Sequence, residues 1–231
     1  YNGSTWYLLN EPNDANKDKQ IFYYRGGGNG YTNTMFWLRT GIGVMKFVHP
    51  DDTNRDEKEE YIRKKAEPAI RYAEILLIYA EALNELTGNY NIASWDEETQ
   101  YTIQRNIDEM KKGIQPIRIR AGIPDYTRSE YEDQDLFREK LKRERQIELM
   151  GEGHRYYDIR RWKDAEVEES LPIYGCNTLM TEKWRDVFHV PVAIPSLPTN
   201  FSRKMYFWPI SHSELKRNKM LTQNPGWTYN D

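Results

Sequence analysis

Cysteine, long apolar runs and surplus positive charge are all scarce in this chain, and each scarcity removes a class of function. The one cysteine, Cys176, cannot build an internal disulfide framework or a thiolate-clustered zinc site. It reads as a small buried hydrophobe. The longest apolar stretch, Ile75 to Ala80, falls far short of the roughly 20 residues that a membrane-spanning helix needs. The 33 lysines and arginines are outnumbered by 36 aspartates and glutamates, giving a formal net charge of -3. No basic stripe is offered to a phosphate backbone, so nucleic acid is not expected as a partner. The chain opens at Tyr1-Asn2-Gly3 with neither an initiator methionine nor a signal peptide, and we expect it to be a piece of a longer protein.

Signatures of catalysis and cofactor binding are missing as well. The run Gly26-Gly27-Gly28-Asn29-Gly30 is not GxGxxG and lacks the Lys-Ser or Lys-Thr of a phosphate-binding loop, so it reads as a flexible loop. His49, His189 and His212 have no serine or cysteine at a recognisable triad spacing. There is no HExxH pattern and no oxygen-ligand loop of EF-hand spacing. We expect no catalytic residue, no metal site and no cofactor.

What is present points to a folded, polar-surfaced protein. Charged residues make up 30% of the 231, but 13% are aromatic, far too many for a disordered acidic chain. Residues 1–60 are loop-rich, punctuated by Asn, Asp and Gly. From Glu67 to Leu86 the residues Ala73, Leu76, Leu77, Ala80 and Leu83 recur on one helical face, with Gly88 as a stop. Ile75, Ile78, Tyr79 and Ala82 make its other side apolar too, which predicts a helix packed on several sides. Ser94 and Glu97 fit a capping box that opens a second helix, with a stripe at Ile103, Ile107, Met110 and Ile114 and a break at Gly113 and Pro116. A third helix is predicted from Asp133 to Met150, stopped by Gly151 and Gly153. Beyond Leu171 the prolines at 172, 191, 195, 198, 209 and 225 deny the chain long elements, and it should wrap the helical body. The fold class is therefore mostly α, with extensive irregular loops. The first two helices, antiparallel and closely connected, resemble one helix-turn-helix repeat.

Two constellations stand out. In Arg143-Glu144-Arg145-Gln146-Ile147-Glu148-Leu149, followed by Glu152-Gly153-His154-Arg155, Glu144 and Glu148 share a helix face. Together with Glu152 that spacing would suit a glycoside hydrolase. The same face carries Phe137 and Leu141, and Arg143, Arg145, Arg155, Arg160 and Arg161 surround it. A buried arginine–glutamate network is therefore the reading we adopt. The second constellation is aromatic: Trp6, Tyr7, Phe22, Tyr23, Tyr24, Tyr31, Phe36 and Trp37 crowd into loop-like sequence. Flat rings stack on the C–H faces of sugars, and Asn29, Asn33 and Arg39 would serve the hydroxyls. Tyr24, Tyr31 and Trp37 are the leading ligand-binding candidates, with Trp6 behind them, because the glycine run between the first two permits an exposed loop.

Four stretches, in order, resemble one family. Arg71-Tyr72-Ala73-Glu74-Ile75-Leu76-Leu77-Ile78-Tyr79-Ala80-Glu81-Ala82 is similar to its R-x-A-E-x-x-L-x-x-A-E-A helix, and Ile117-Arg118-Ile119-Arg120-Ala121-Gly122 to its I-R-x-R-A-G segment. The stretch from Arg143 to Leu149, with Glu152-Gly153-His154-Arg155-Tyr156-Tyr157-Asp158-Ile159-Arg160-Arg161-Trp162, is the most specific. Pro209-Ile210, Glu214, Asn218, Leu221 and Gln223-Asn224-Pro225-Gly226-Trp227 look like its closing signature. The family is that of the SusD/RagB-like glycan- and nutrient-binding outer-membrane lipoproteins. The resemblance implies tetratricopeptide-like helix pairs over 67–162, an irregular wrap over 163–231 and an absent N-terminal half. It also implies a non-catalytic role in polysaccharide utilisation. Such a protein captures oligosaccharides at the outer membrane and delivers them to a SusC-like TonB-dependent channel, on which it sits as a lid. Outside the family, the alternatives are a helical-repeat scaffold for protein partners and the hydrolase above.

Overall fold

The computed structural model describes residues 23–25, 30, 37–44, 46, 53–56, 59–61, 64, 68–181, 187–195, 197 and 199–229. They fall into two compact units, residues 65–158 and residues 1–64 with 159–231. Among the described residues helix is the dominant regular structure, with only short paired strands beside it.

In the 65–158 unit, α1 (Tyr72–Asn84) buries Ala73, Leu77, Ala80 and Leu83, the stripe that the 3.6-residue period dictates. Ile75, Ile78 and Tyr79 are exposed, so α1 buries one side here instead of several. The segment Ser94–Thr99 does not open a helix. It is the turn of a hairpin between β3 (Tyr90–Ala93) and β4 (Gln100–Ile103), which pair antiparallel. Ser94 does accept a backbone amide through its hydroxyl, as a cap would, but the donor is Thr99 across the turn at 3.0 Å. The tyrosines and β-branched residues flanking it favour strands.

The second helix, α2 (Ile107–Arg120), is capped instead by Asn106, whose side chain accepts from the Glu109 amide. It runs through both expected breakers. Pro116 sits on the solvent side, where the helix carbonyl it leaves unmatched meets water. Gly113 is at the crossing with α1, where a Cβ would lie 2.5 Å from the Leu76 carbonyl oxygen and 2.8 Å from the Ala80 Cβ. The helix closes in a Schellman motif, with Ile123 N–H donating to Arg118 O and Gly122 N–H to Ile119 O, each at 3.0 Å. Gly122 takes the required left-handed φ of +71°. That geometry is the structural content of Ile117-Arg118-Ile119-Arg120-Ala121-Gly122.

Next come α3 (Arg128–Glu132), with a full capping box between Thr127 and Glu130, and α4 (Gln134–Glu148), capped by Asp133. Contacts at Tyr79–Glu109 and Gly113–Leu76 set α1 antiparallel to α2. Those at Glu85–Arg138 and Arg71–Glu148 set it antiparallel to α4. The core between them is Leu77, Met110, Ile114, Tyr131, Phe137 and Leu141. Asn84, fully buried at the C-terminal end of α1, donates to Gln134 O and accepts from Arg105, so its burial leaves no amide unmatched.

Helix α5 (His154–Arg161) begins in the 65–158 unit and its last residues lie in the other, where α6 (Ala165–Glu168) follows and β1 (Thr53–Asp56) and β2 (Glu59–Tyr61) form a hairpin. Strands β5 (Tyr174–Gly175) and β6 (Val192–Ala193) pair antiparallel, and α7 (His212–Arg217) precedes the C-terminal clasp. There Asn224-Pro225-Gly226-Trp227 makes a β-turn closed by Trp227 N–H to Asn224 O at 3.1 Å. Proline stands in its second place, and Gly226 takes φ +85° in its third, as a type II turn requires.

Candidate functional site

The acidic residues singled out in the sequence are all spoken for by guanidinium groups, but from other stretches than those adjacent in sequence. Glu144 accepts from Arg118 Nη1 at 2.6 Å and from the Tyr126 hydroxyl at 2.8 Å. Glu148 accepts from Arg71 Nη1 at 2.9 Å and Arg120 Nη2 at 2.5 Å. Glu152 accepts from Arg71 Nε at 2.8 Å, and a further Arg71 nitrogen donates to the Glu148 carbonyl. Arg145 grips Asp158 with two bonds of 3.0 and 3.1 Å, both side chains almost wholly buried, and lies 3.8 Å from Glu81. His154 stands 3.6 Å from Glu74. Charge pairs thus tie the three motif stretches at 71–82, 117–122 and 143–158 to one another. The anticipated arginine–glutamate pairing exists, and the partners of Glu144, Glu148 and Glu152 include Arg71, Arg118 and Arg120, which are remote from them in sequence.

Burial and pairing explain its electrostatics. Hydrogen bonding to Glu152 and then to Glu148 raises the Arg71 pKa, against the lowering effect of burial. Burial, then the bond to Glu144, pushes the Tyr126 phenol well above its ordinary range. Its ring also lies under the Arg118 guanidinium at 3.9 Å. Each of these carboxylates accepts from at least one scaffold donor, so the arrangement ties the helices together. Among the described residues no group of three or more His, Cys, Asp or Glu is placed to hold a metal ion. No helix among them is long and apolar enough to cross a membrane.

The four candidate ligand-binding aromatics separate. Trp6 and Tyr31 lie outside the described residues. Tyr24 is 5% exposed and packs with Met180 and Phe188, and with the partly buried Tyr23 and Cys176. It is a core ring here, because that cluster has few other large side chains to close it. Cys176 is half-buried in the same cluster, and burial pushes its thiol up. Trp37 is partly exposed, as a ring that meets a ligand must be.

Sequence reasoning passed over other exposed rings. Trp95, 95% exposed, stands at the tip of the β3–β4 hairpin, with Tyr90 and Tyr101 exposed on its strands. The missed signal was the alternation of Tyr90, Ile92, Tyr101 and Ile103, hidden by the Ser94/Glu97 pattern. Trp227 instead joins the clasp. Its Nε1–H donates to Lys204 O and Phe207 O at 3.0 Å, and Lys204 Nζ lies 4.1 Å from its ring centre. Gln223 bonds both backbone groups of Ile210.

Comparison with known proteins agrees with this architecture. Residues 1–227 match the SusD family. SusD-like protein P2 of Formosa agariphila is 31% identical over 162 residues, covering 68% of this chain and 25% of that protein. The solved structure of selenomethionine BT4246 shares the fold, with a TM-score of 0.70 at 24% identity over 87% of this chain and 32% of that one. A crystal structure of a SusD-like protein from Bacteroides fragilis gives a TM-score of 0.50 at 28% identity, covering 68% of this chain and 25% of that one. The chain therefore spans a quarter to a third of the length of these relatives. With its motif stretches tied together by charge pairs and the family match running from residue 1 to residue 227, this chain belongs to the SusD family.

Proposed function

We propose that this chain is the C-terminal part of a surface-exposed outer-membrane lipoprotein that captures oligosaccharides for nutrient uptake. It passes them to a partner SusC-like TonB-dependent channel without breaking glycosidic bonds. Family membership supports the reading, and so does one observation above all: Glu144, Glu148 and Glu152 are held by Arg118, Arg71 and Arg120 as scaffold. Retaining or inverting hydrolysis needs two carboxyl groups aimed at one scissile bond. On this reading the ligand meets aromatic rings in the 1–60 region, with Trp37, Tyr31 and Trp6 as the stacking candidates.

Isothermal titration against an oligosaccharide panel, with chromatography of the same mixtures for products, tests both halves. Saturable binding without new products is expected. Trp37→Ala should weaken affinity by about fivefold or more, the scale of a hot-spot ring, with an unchanged melting curve. Cleavage abolished by a Glu148 substitution would overturn the non-catalytic reading, and wild-type affinity in Trp37→Ala would move the site elsewhere. A scaffold for protein partners alone is favoured by one feature, the exposed apolar stripe Tyr72, Ile75, Ile78 and Tyr79 on α1. Stable co-purification with the channel in the absence of any glycan affinity would select it.

A further inference from the structure

The β3–β4 hairpin is two-faced. Its register pairs Tyr90 with Ile103 and Ile92 with Tyr101 on one side, and Asn91 with Thr102 and Ala93 with Gln100 on the other. The polar side is internally satisfied, since the Thr102 hydroxyl donates to Asn91 Oδ1 at 2.8 Å. On the apolar side Tyr90, Ile92 and Tyr101 are about half exposed, and at the free end Trp95 projects almost entirely into water. A hairpin with no second layer is marginal by itself, so the turn must be held by its own bonds. Ser94 N–H donates to Thr99 O at 2.7 Å, Glu97 N–H to Ser94 O at 2.9 Å, and Glu98 N–H to Asp96 Oδ1 at 3.2 Å. The Ser94 hydroxyl donates to the same Asp96 carboxylate. A turn held in this way carries the indole outward, so its backbone needs little ordering when a ligand arrives.

We infer that this hairpin is a second glycan-contact surface, selective for neutral over anionic sugar chains, with Trp95 and Tyr101 as its stacking rings. The inference rests on the glycan-binding reading above but assigns residues that reading does not use. Size argues for a sugar over a protein. A stable protein interface takes about 20–30 residues a side, whereas one face of this hairpin supplies only Tyr90, Ile92, Tyr101 and Ile103 beside Trp95. Its four-residue strands extend about 13 Å at the usual rise, the scale of a short oligosaccharide. Charge argues for neutrality. Asp96, Glu97 and Glu98 are exposed beside Trp95 and accept bonds from sugar hydroxyls, but repel uronate or sulfate groups.

The test is titration of the whole chain with neutral probes (maltohexaose, laminarihexaose, xylohexaose, mannohexaose) and with an anionic one, a galacturonate hexamer. The wild type should bind at least one neutral probe and not the galacturonate. Trp95→Ala and Tyr101→Ala should each weaken that binding by about fivefold or more, with unchanged circular dichroism, and Glu97→Gln/Glu98→Gln should admit the galacturonate. If a neutral probe binds and both ring variants match the wild type, the hairpin serves a macromolecular partner. The inference then falls while the glycan-binding reading stands. If galacturonate binds the wild type in preference, the selectivity is wrong. If no probe binds at all, the glycan-binding reading and this inference fall together.

Discussion

Arg71 should be a costly charge to remove from this chain. Its guanidinium bonds Glu152 at 2.8 Å, the Glu148 carboxylate at 2.9 Å and the Glu148 carbonyl at 2.9 Å. Its side chain is 22% exposed, and those of Glu148 and Glu152 are 12% and 14%. Stripping one partner from a buried pair costs about 3–5 kcal/mol because the remaining charge stays desolvated. Partial exposure and the Arg120 bond that Glu148 keeps place Arg71→Ala at the lower end, about 3 kcal/mol. For a chain of this size each kcal/mol moves the melting temperature by about 2–4 °C, so a drop of about 6–12 °C is expected by circular dichroism at 222 nm. Glu148→Ala should cost less, about 1–2 kcal/mol, since Arg71 keeps Glu152 and Arg120 is 57% exposed and rehydrates. Arg128→Ala, removing an exposed pair with Glu132, should cost under about 0.5 kcal/mol. The ranking is the content of the prediction. Urea unfolding that placed Arg71→Ala within error of Arg128→Ala would show that the network is hydrated and refute the burial argument.

Three further outcomes follow from local geometry. Gly113→Ala should destabilise by about 1–3 kcal/mol in urea unfolding, because the new methyl meets Leu76 O and Ala80 Cβ at under 3 Å. That outweighs the roughly 1 kcal/mol of helix propensity it gains, and a more stable variant would mean a looser crossing. The Thr127 amide, then Lys140 and the Thr127 hydroxyl, lower the Glu130 carboxyl from 4.5 to about 2. A depressed pKa gives stability that is present above the unfolded value and lost as pH falls from about 4.5 to about 2. Glu130→Gln should therefore reduce stability at pH 7 but not at pH 2, and equal loss at both would show that charge is irrelevant there. Gln223→Ala removes the partner of both Ile210 backbone groups and should cost about 1–3 kcal/mol. Its unfolding should be visible in tryptophan fluorescence, and an unchanged midpoint would mean that the clasp is not part of the cooperative fold.

The amino-acid order by itself determined the helices whose periodicity is strong: the core stripe of α1, all of α4 with its Asp133 cap, and the mostly α class. It also determined that Glu144 and Glu148 would be paired in a charge network, because carboxylates beside Phe137 and Leu141 have no other way to be tolerated. Tertiary structure decided the partners. Arg71, Arg118 and Arg120 are remote in sequence from Glu144, Glu148 and Glu152, and only the packing of α1 and α4 and the cap on α2 bring them within reach. It also decided between two local readings of Ser94. A hydroxyl that accepts a backbone amide serves a helix cap or a hairpin turn equally well, and cross-strand pairing of Tyr90 and Ile92 with Ile103 and Tyr101 made it a turn. Pro116 and Gly113 look like breakers, yet one lies on the solvent side of α2 and the other at its crossing with α1. Where a residue faces is set by what packs against it, and a linear sequence does not carry that information.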